Sequence, residues 1–239
     1  MKEPYPKNPQ EVKGPPSMNI IIPNALQARA ICRDVRNNVV AWREKDYGFS
    51  CPPEFNSYLE GKVSDEDFDK TFDKWYKSWD PNDEVQRLQN CNPTFQKGVK
   101  AYQPLQDWGF FIPDQYNVVI TPCSIGIGGG YRLSSTMGPT ISMYYRRNWE
   151  KGFRTPEGCL LHEAYHIGIE KFILEFGLNQ DEKERIVDIC SQEALVPSIL
   201  PKSHLQQSKK IKELSPVIDP FLAMKELPVP ERLRRYKNL

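Results

Sequence analysis

Residues 155–177 read TPEGCLLHEAYHIGIEKFILEFG, and this segment has the marks of a complete helix. Thr155 is a favoured N-cap residue, Pro156 suits the first helical position, and Glu157 places an acid in the first turn. Gly177 is typical of the residue that follows a helix. We therefore predict one helix here, and its many apolar residues indicate that it packs into a core.

A second helix is predicted directly downstream. Residues 179–195 read NQDEKERIVDICSQEAL, and this helix is expected to end before Pro197. A turn at Gly177 would let it fold back antiparallel to the first helix. Its far end would then lie near residues 162–166.

The rest of the chain predicts a mixture of strands and helices. Four short runs of apolar and β-branched residues are bounded by proline or glycine and predict strands: 18–22, 116–121 (YNVVIT), 131–133 and 140–145 (TISMYY). Apolar residues at helical spacing predict further helices from Asn24, from Ser64 and over 82–91. The fold class expected from this pattern is α+β.

A glycine-rich loop, CSIGIGGGYR, occupies residues 123–132. It lacks the GK[ST] ending of a phosphate-binding loop and leads into a strand pattern rather than a helix. We interpret its glycines as a flexible turn or as a place where another backbone approaches closely.

The composition excludes several classes of protein. The 239 residues include 32 Lys+Arg and 31 Asp+Glu, a net charge of +1, which argues against nucleic-acid binding by bulk electrostatics. No apolar run is long enough to span a bilayer, and the first residues lack the apolar stretch of a signal peptide. Six cysteines without a CxxC pair are predicted to be mostly buried free thiols in a reducing compartment. We therefore expect a cytoplasmic protein that binds neither a membrane nor a specific nucleic acid.

Both ends of the chain differ in composition from its middle. Residues 1–17 contain five prolines and predict an extended or disordered arm. Residues 201–239 are spaced by prolines, carry nine Lys/Arg against four Asp/Glu, and predict a basic tail. One folded domain is expected between them, over residues 18–200.

Residues 162–166, HEAYH, match the pattern HExxH. Two histidines four positions apart lie on one face of a helix, so His162 and His166 can both reach one metal ion. Glu163 lies beside the first histidine, where it can meet a water molecule on that metal. Zinc lowers the pKa of such a water, and the carboxylate can accept its proton as the hydroxide attacks a carbonyl. The pattern therefore predicts a metal-dependent hydrolase.

With this motif on a helix that follows a glycine-rich turn and the strand TISMYY, segment 116–197 resembles the zincin metallopeptidases. The resemblance implies a zincin-like α+β fold, in which a small twisted sheet packs on the HExxH helix. It implies Zn²⁺ held by His162 and His166, with Glu163 as the general base. It also implies that TISMYY is the edge strand, along which an extended peptide substrate would add a further strand.

The third metal ligand separates the zincin subfamilies. The pattern HExxHxxGxxH would need glycine and histidine at the positions that Ile169 and Phe172 occupy, so that group is excluded. The gluzincins take a glutamate from the following helix. That resemblance implies Glu193, which lies 27 residues after His166.

Three other residues are alternatives for the third ligand. Glu170 continues the four-residue spacing, but it lies about 12 Å from position 162 on a helix that rises about 1.5 Å per residue. Asp188 could bind the metal or accept the other N–H of a ligating imidazole. His204 could be a ligand or could stabilise the oxyanion of a tetrahedral intermediate. Further candidates for the oxyanion role are Tyr131, Arg132, Tyr144 and Tyr145.

These observations predict a zinc-dependent peptidase that acts on a peptide or protein. An alternative is a non-catalytic protein, derived from the zincin fold, that binds a protein partner through its two tails. A third hypothesis is a hydrolase of non-peptide amides, because HExxH alone does not specify the substrate.

Overall fold

The computed structural model describes residues 16–44, 49–50, 52–122, 124–125, 129–134, 136–144, 155–195, 199 and 209–238. The strands in these ranges are β1 Ser17–Ile21, β2 Phe49–Ser50, β3 Gln115–Thr121, β4 Ser124–Ile125, β5 Gly129–Ser134 and β6 Gly138–Tyr144. The α-helices are α1 Ala25–Glu44, α2 Asn56–Leu59, α3 Asp65–Ser78, α4 Asn82–Ala101, α5 Pro156–Glu175, α6 Gln180–Ala194, α7 Lys209–Leu222 and α8 Val229–Lys237. The α+β class predicted from the sequence is confirmed.

Four of the strands form a mixed sheet in the order β1-β3-β6-β5. Strands β1, β3 and β6 run parallel to one another, whereas β5 runs antiparallel to β6. Ile141 of β6 pairs with Val118 on one side and with Tyr131 on the other. Because both sides of β6 are paired, the expectation that TISMYY is an edge strand is wrong, and β5 is the edge strand beside it.

Helix α5 is the centre of the main core. It is buried without interruption from Gly158 to Ile169, and its neighbours are α4, α6, β5 and β6. Its start follows the sequence signals, because the Thr155 side chain accepts a hydrogen bond from the Gly158 N–H and Pro156 is the first helical residue. A helix that is buried on every side has no need of a polar face, which explains why it is apolar over most of its length.

Two glycines allow neighbouring elements to approach α5 closely. A Cβ atom on Gly168 would lie 1.9 Å from Cζ of Phe110, and one on Gly98 of α4 would lie 2.4 Å from the side chain of Leu161. The Gly168 carbonyl also accepts a hydrogen bond of 2.9 Å from the N–H of Phe111. Both glycines are therefore required by packing rather than by backbone conformation.

A second core lies between α1, α2 and α3. Two aromatic residues of α3, Phe68 and Phe72, are fully buried there. The ring of Phe72 stacks on that of Phe55, and the ring of Phe68 meets Phe55 edge to face. Arg33 of α1 makes an ion pair of 2.7 Å with Asp69 of α3, on the side of this core that faces solvent.

The C-terminal region differs from the tail that the sequence predicted. Residues 209–222 and 229–237 form helices α7 and α8, although α7 contains two prolines. Burial of an apolar stripe offsets the cost of those prolines, since most helical stability in proteins comes from tertiary packing. The stripe joins the core around α5 through four residues: Ile218, Leu222, Val229 and Leu233.

The predicted N-terminal arm is largely outside the described residues. Its last residue, Ser17, already belongs to β1 and pairs with Gln115. Four cysteines are buried, as predicted, and they are Cys32, Cys91, Cys159 and Cys190. Cys51 and Cys123 lie outside the described residues. None of the described helices combines the length and the apolar character needed to cross a membrane.

Substitution Gly168→Ala tests the close packing on α5. Alanine normally stabilises a helix relative to glycine by about 1 kcal/mol. Here the added methyl group has no space beside Phe110, so we expect a loss of about 1–3 kcal/mol in the free energy of unfolding, measured by urea denaturation. Adding Phe110→Leu should restore part of that loss. A Gly168→Ala protein more stable than the parent would contradict this packing.

Candidate metal centre

Helix α5 brings two imidazoles together in the interior of the protein. His162 and His166 are four residues apart, and their Nε2 atoms lie 3.0 Å from each other. The two rings are nearly perpendicular, and each residue is no more than 2% exposed. The helical spacing predicted this pairing, because residues four apart share one face of a helix.

Helix α6 supplies the third group, the carboxylate of Glu184. Its Oε2 atom lies 3.2 Å from Nε2 of His162 and 3.3 Å from Nε2 of His166. The chain reverses between the two helices at Gly177, which has the left-handed φ of 56° that glycine adopts readily. Asn179 then starts α6 with a full capping box, in which the Glu182 carboxylate accepts a hydrogen bond from the Asn179 N–H.

The spacing of these three atoms fits a tetrahedral metal ion. Zinc bonds of about 2.0–2.1 Å in a tetrahedral arrangement place neighbouring ligand atoms about 3.3 Å apart. The three measured separations, 3.0, 3.2 and 3.3 Å, are close to that value. Lone pairs of two imidazoles and a carboxylate converge stably only when a proton or a cation lies between them. His162, His166 and Glu184 are therefore a group that could hold a metal ion.

Burial disfavours a charge on both imidazoles, but at His162 the hydrogen bond with Glu184 outweighs it and raises the pKa, whereas at His166 burial prevails. Burial lowers the pKa of His166 to about 4, so this imidazole is neutral at pH 7. A neutral imidazole is the form that binds a metal, because its lone pair is free. The site is thus prepared for a cation without first having to lose a proton from His166.

Glu163 is also buried next to this group, at 4% exposure. Burial raises the pKa of its carboxyl to about 7. Strand β5 passes so closely that a Cβ atom on Gly129 would lie 3.0 Å from Oε1 of Glu163 and 2.3 Å from Sγ of Cys159. The close neighbours of Gly129 are therefore side chains of α5 and not another backbone, and Gly126 and Gly128 are outside the described residues.

Asp188 lies behind His162. Its Oδ1 atom is 3.7 Å from Nδ1 of His162, and both side chains are 1% exposed. The carboxylate is therefore on the side of the ring opposite Glu184. Of the two roles considered for Asp188, this position favours orienting the imidazole over binding the metal.

Tyr131 of β5 covers His166. The two rings are stacked with centroids 4.9 Å apart, and the Tyr131 hydroxyl donates a hydrogen bond of 2.6 Å to Oε2 of Glu170. Glu170 thus faces Tyr131 and does not belong to the group of three ligand atoms. Lys183 also lies over the ring of Tyr131, with its Nζ atom 5.0 Å from the ring centroid.

Glu193 is not brought to the two histidines, and the carboxylate that lies beside them is that of Glu184. Its carboxylate accepts hydrogen bonds of 2.7 and 3.0 Å from the guanidinium of Arg232 on α8. The two helices are not paired at equal distances from Gly177, because α6 is offset by about one helical turn. His166, 11 residues before Gly177, faces Glu184, which is 7 residues after it. His162 faces Asp188 with the same offset, and Glu193 lies further along α6.

A sequence signal for Glu184 was present. Glu184 and Asp188 are four residues apart on α6, so they share a face and repeat the spacing of the two histidines on α5.

The remaining candidates for the third ligand and for the oxyanion role are not brought to this group among the described residues. Arg132 is exposed on β5. His204 and Tyr145 lie outside the described residues, as does the side chain of Tyr144.

Comparison of the chain with models of protein families, with curated proteins and with solved structures found no match. The function is therefore inferred from the residues of this site.

A pair of variants on α6 tests the ligand assignment. Glu184→Ala should weaken Zn²⁺ binding by more than the roughly 10–100-fold typical of residues that only support a ligand, because it removes a ligand atom and a balancing charge. Glu193→Ala should keep the affinity of the parent but lose roughly 1–3 kcal/mol of stability, because the buried Arg232 loses its charged partner. Competition titration with a chelator measures the zinc affinity, and thermal denaturation of the metal-free proteins measures the stability. Retention of zinc by Glu184→Ala together with its loss by Glu193→Ala would reverse the assignment.

Proposed function

We propose that this chain is a zinc-dependent peptidase with a zincin-like arrangement of helices α5 and α6. The observation that carries the proposal is the convergence of two imidazole nitrogens and one carboxylate oxygen at separations of 3.0–3.3 Å, next to a buried glutamate. A structural metal site is normally closed by four protein ligands, whereas a catalytic one has three and leaves a position for water or substrate. The group has three members among the described residues, which favours the catalytic class.

The ligands proposed for zinc are His162, His166 and Glu184. Two nitrogen donors and one oxygen donor suit zinc, which accepts imidazole and carboxylate in tetrahedral sites. When bound, zinc would polarise a substrate carbonyl and lower the pKa of a water molecule towards neutrality. Asp188, 3.7 Å from Nδ1 of His162, would hold that ring in orientation through its far nitrogen.

Glu163 is proposed as the general base. A carboxylate whose pKa is about 7 is a stronger base than an exposed glutamate, and it can both accept and return a proton near neutral pH. It would take a proton from the attacking water at a carboxylate oxygen. It would then deliver that proton to the nitrogen of the departing amine, so that the amide C–N bond breaks and the glutamate is regenerated.

An extended substrate is proposed to lie along β5. This strand is at the edge of the mixed sheet, and its residues Gly129 and Tyr131 lie against Glu163 and His166. A peptide that added to this edge by backbone hydrogen bonds would pass over the three proposed metal ligands. Strand β6 offers no such edge, because it is paired on both sides.

The alternative, a non-catalytic protein that binds a partner, loses part of its support. It depended on two free tails, and residues 209–238 instead pack on the core. A hydrolase acting on a non-peptide amide would use the same site. Stoichiometric zinc with no hydrolysis of unfolded protein substrates would favour these alternatives over a peptidase.

Substitution Glu163→Gln tests the proposed base. The amide has nearly the same shape but cannot accept the proton, so peptidase activity should fall at least about 10²–10⁴-fold. Zinc content and melting temperature should stay close to those of the parent, since no ligand is changed. Activity on an unfolded protein, zinc analysis and thermal denaturation are measured together.

The matched control is Glu175→Gln, the same change on the same helix at an exposed position. It should leave activity unchanged. An active Glu163→Gln protein would overturn the mechanism. Loss of zinc from that variant would instead assign Glu163 a part in binding the metal.

A further inference from the structure

The two carboxylate oxygens of Glu184 have different surroundings. Oε2 faces the imidazoles of His162 and His166, at 3.2 and 3.3 Å. Oε1 accepts a hydrogen bond from the side-chain amide of Gln180 and lies 3.9 Å from Nζ of Lys183. One oxygen is thus directed to the metal group, and the other is held by residues of α6 itself.

Gln180 is placed for this contact by the start of the helix. It is the first residue of α6 and lies four residues before Glu184, so both side chains are on one face. The capping box of Asn179 and Glu182 fixes the backbone at this point. The Gln180 amide therefore reaches Oε1 from a rigid position, although the residue itself is exposed.

We propose that Gln180 is a positioning residue for the metal site, which holds Oε1 so that Glu184 offers a single oxygen, Oε2, to the metal. This inference rests on the proposed zinc site. With Oε1 occupied, the carboxylate cannot turn to bind through both oxygens, and the coordination stays at two nitrogens, one oxygen and an open position. An unrestrained glutamate would be free either to chelate or to swing away from the imidazoles.

Lys183 contributes less to this restraint. Its Nζ atom is farther from Oε1 than a hydrogen bond allows, and it also lies over the ring of Tyr131. The amide of Gln180 is therefore the group that sets the rotation of the carboxylate. The positive charge of Lys183 attracts Oε1 but does not fix the rotation of the carboxylate.

The experiment is a titration of the metal-free full chain with Co²⁺, which replaces zinc and absorbs visible light. Four-coordinate Co²⁺ absorbs more strongly than five-coordinate Co²⁺, so the spectrum reports whether Glu184 binds through one oxygen or two. In Gln180→Ala we expect the affinity to fall about 10–100-fold, as for other residues that support a ligand, and the absorption of the bound ion to weaken. Gln180→Lys keeps a donor near Oε1 and should restore much of the affinity and the absorption.

The control is Gln86→Ala, which removes a hydrogen bond of the same spacing, from Gln86 to Asn90, on an exposed face of α4. It should change neither the affinity nor the spectrum. Parental affinity and spectrum in Gln180→Ala would overturn the role of Gln180 and leave the metal site intact. Failure of the unmodified chain to bind Co²⁺ or Zn²⁺ would overturn the metal site itself, and with it this assignment. Thermal denaturation of the metal-free variants checks that each remains folded.

Discussion

The structure depends on the burial of charged and polar groups inside an apolar helix. Helix α5 is covered along its middle turns, yet it carries His162, Glu163 and His166 at positions that are no more than 4% exposed. Burying such groups without partners costs several kcal/mol each, on the order of the whole stability of a domain. The helix can be central to the core only if another element brings partners to it, and Glu184 and Asp188 of α6 are those partners.

The position of α6 is in turn maintained by the C-terminal helices. Three residues of α6 make polar contacts with α7 and α8: Arg185 with Asp219, Glu193 with Arg232, and Glu182 with both Tyr236 and Lys237. The guanidinium of Arg232 also donates to the carbonyls of Leu222 and Leu227, so this charge is well satisfied despite its burial. Helices α7 and α8, in the region predicted to be a tail, thus hold in place the helix that brings Glu184 to the two imidazoles. Glu193, which the sequence predicted to be a ligand, instead helps to attach α6 to α8.

The sheet contributes to the site through its edge rather than its centre. Strand β5 needs a glycine at position 129, because a larger residue there would displace Glu163 or Cys159. Two residues later, Tyr131 covers His166 and is itself held by Glu170. The same strand therefore restrains the proposed base and a proposed ligand while its outer edge remains the natural place for an extended substrate.

Features that depend on neighbours along the chain were predictable from the residues themselves. Thr155, Pro156 and Gly177 mark the ends of α5, and the four-residue step places His162 and His166 on one face, because capping and helical periodicity act within a few residues. The helical spacing of apolar residues after Ser64 predicted α3 for the same reason.

Which residues of other elements meet His162 and His166 depended on the packing of the whole chain. The choice of Glu184 over Glu193 depends on the offset between two antiparallel helices, and that offset is set by the turn at Gly177 and by packing against α8. The edge position of β5 depends on strand order, and the folding of residues 209–238 depends on burial of Ile218 and Leu233. Contacts between distant segments are selected by the packing of the whole core, and no local pattern of residues contains that information.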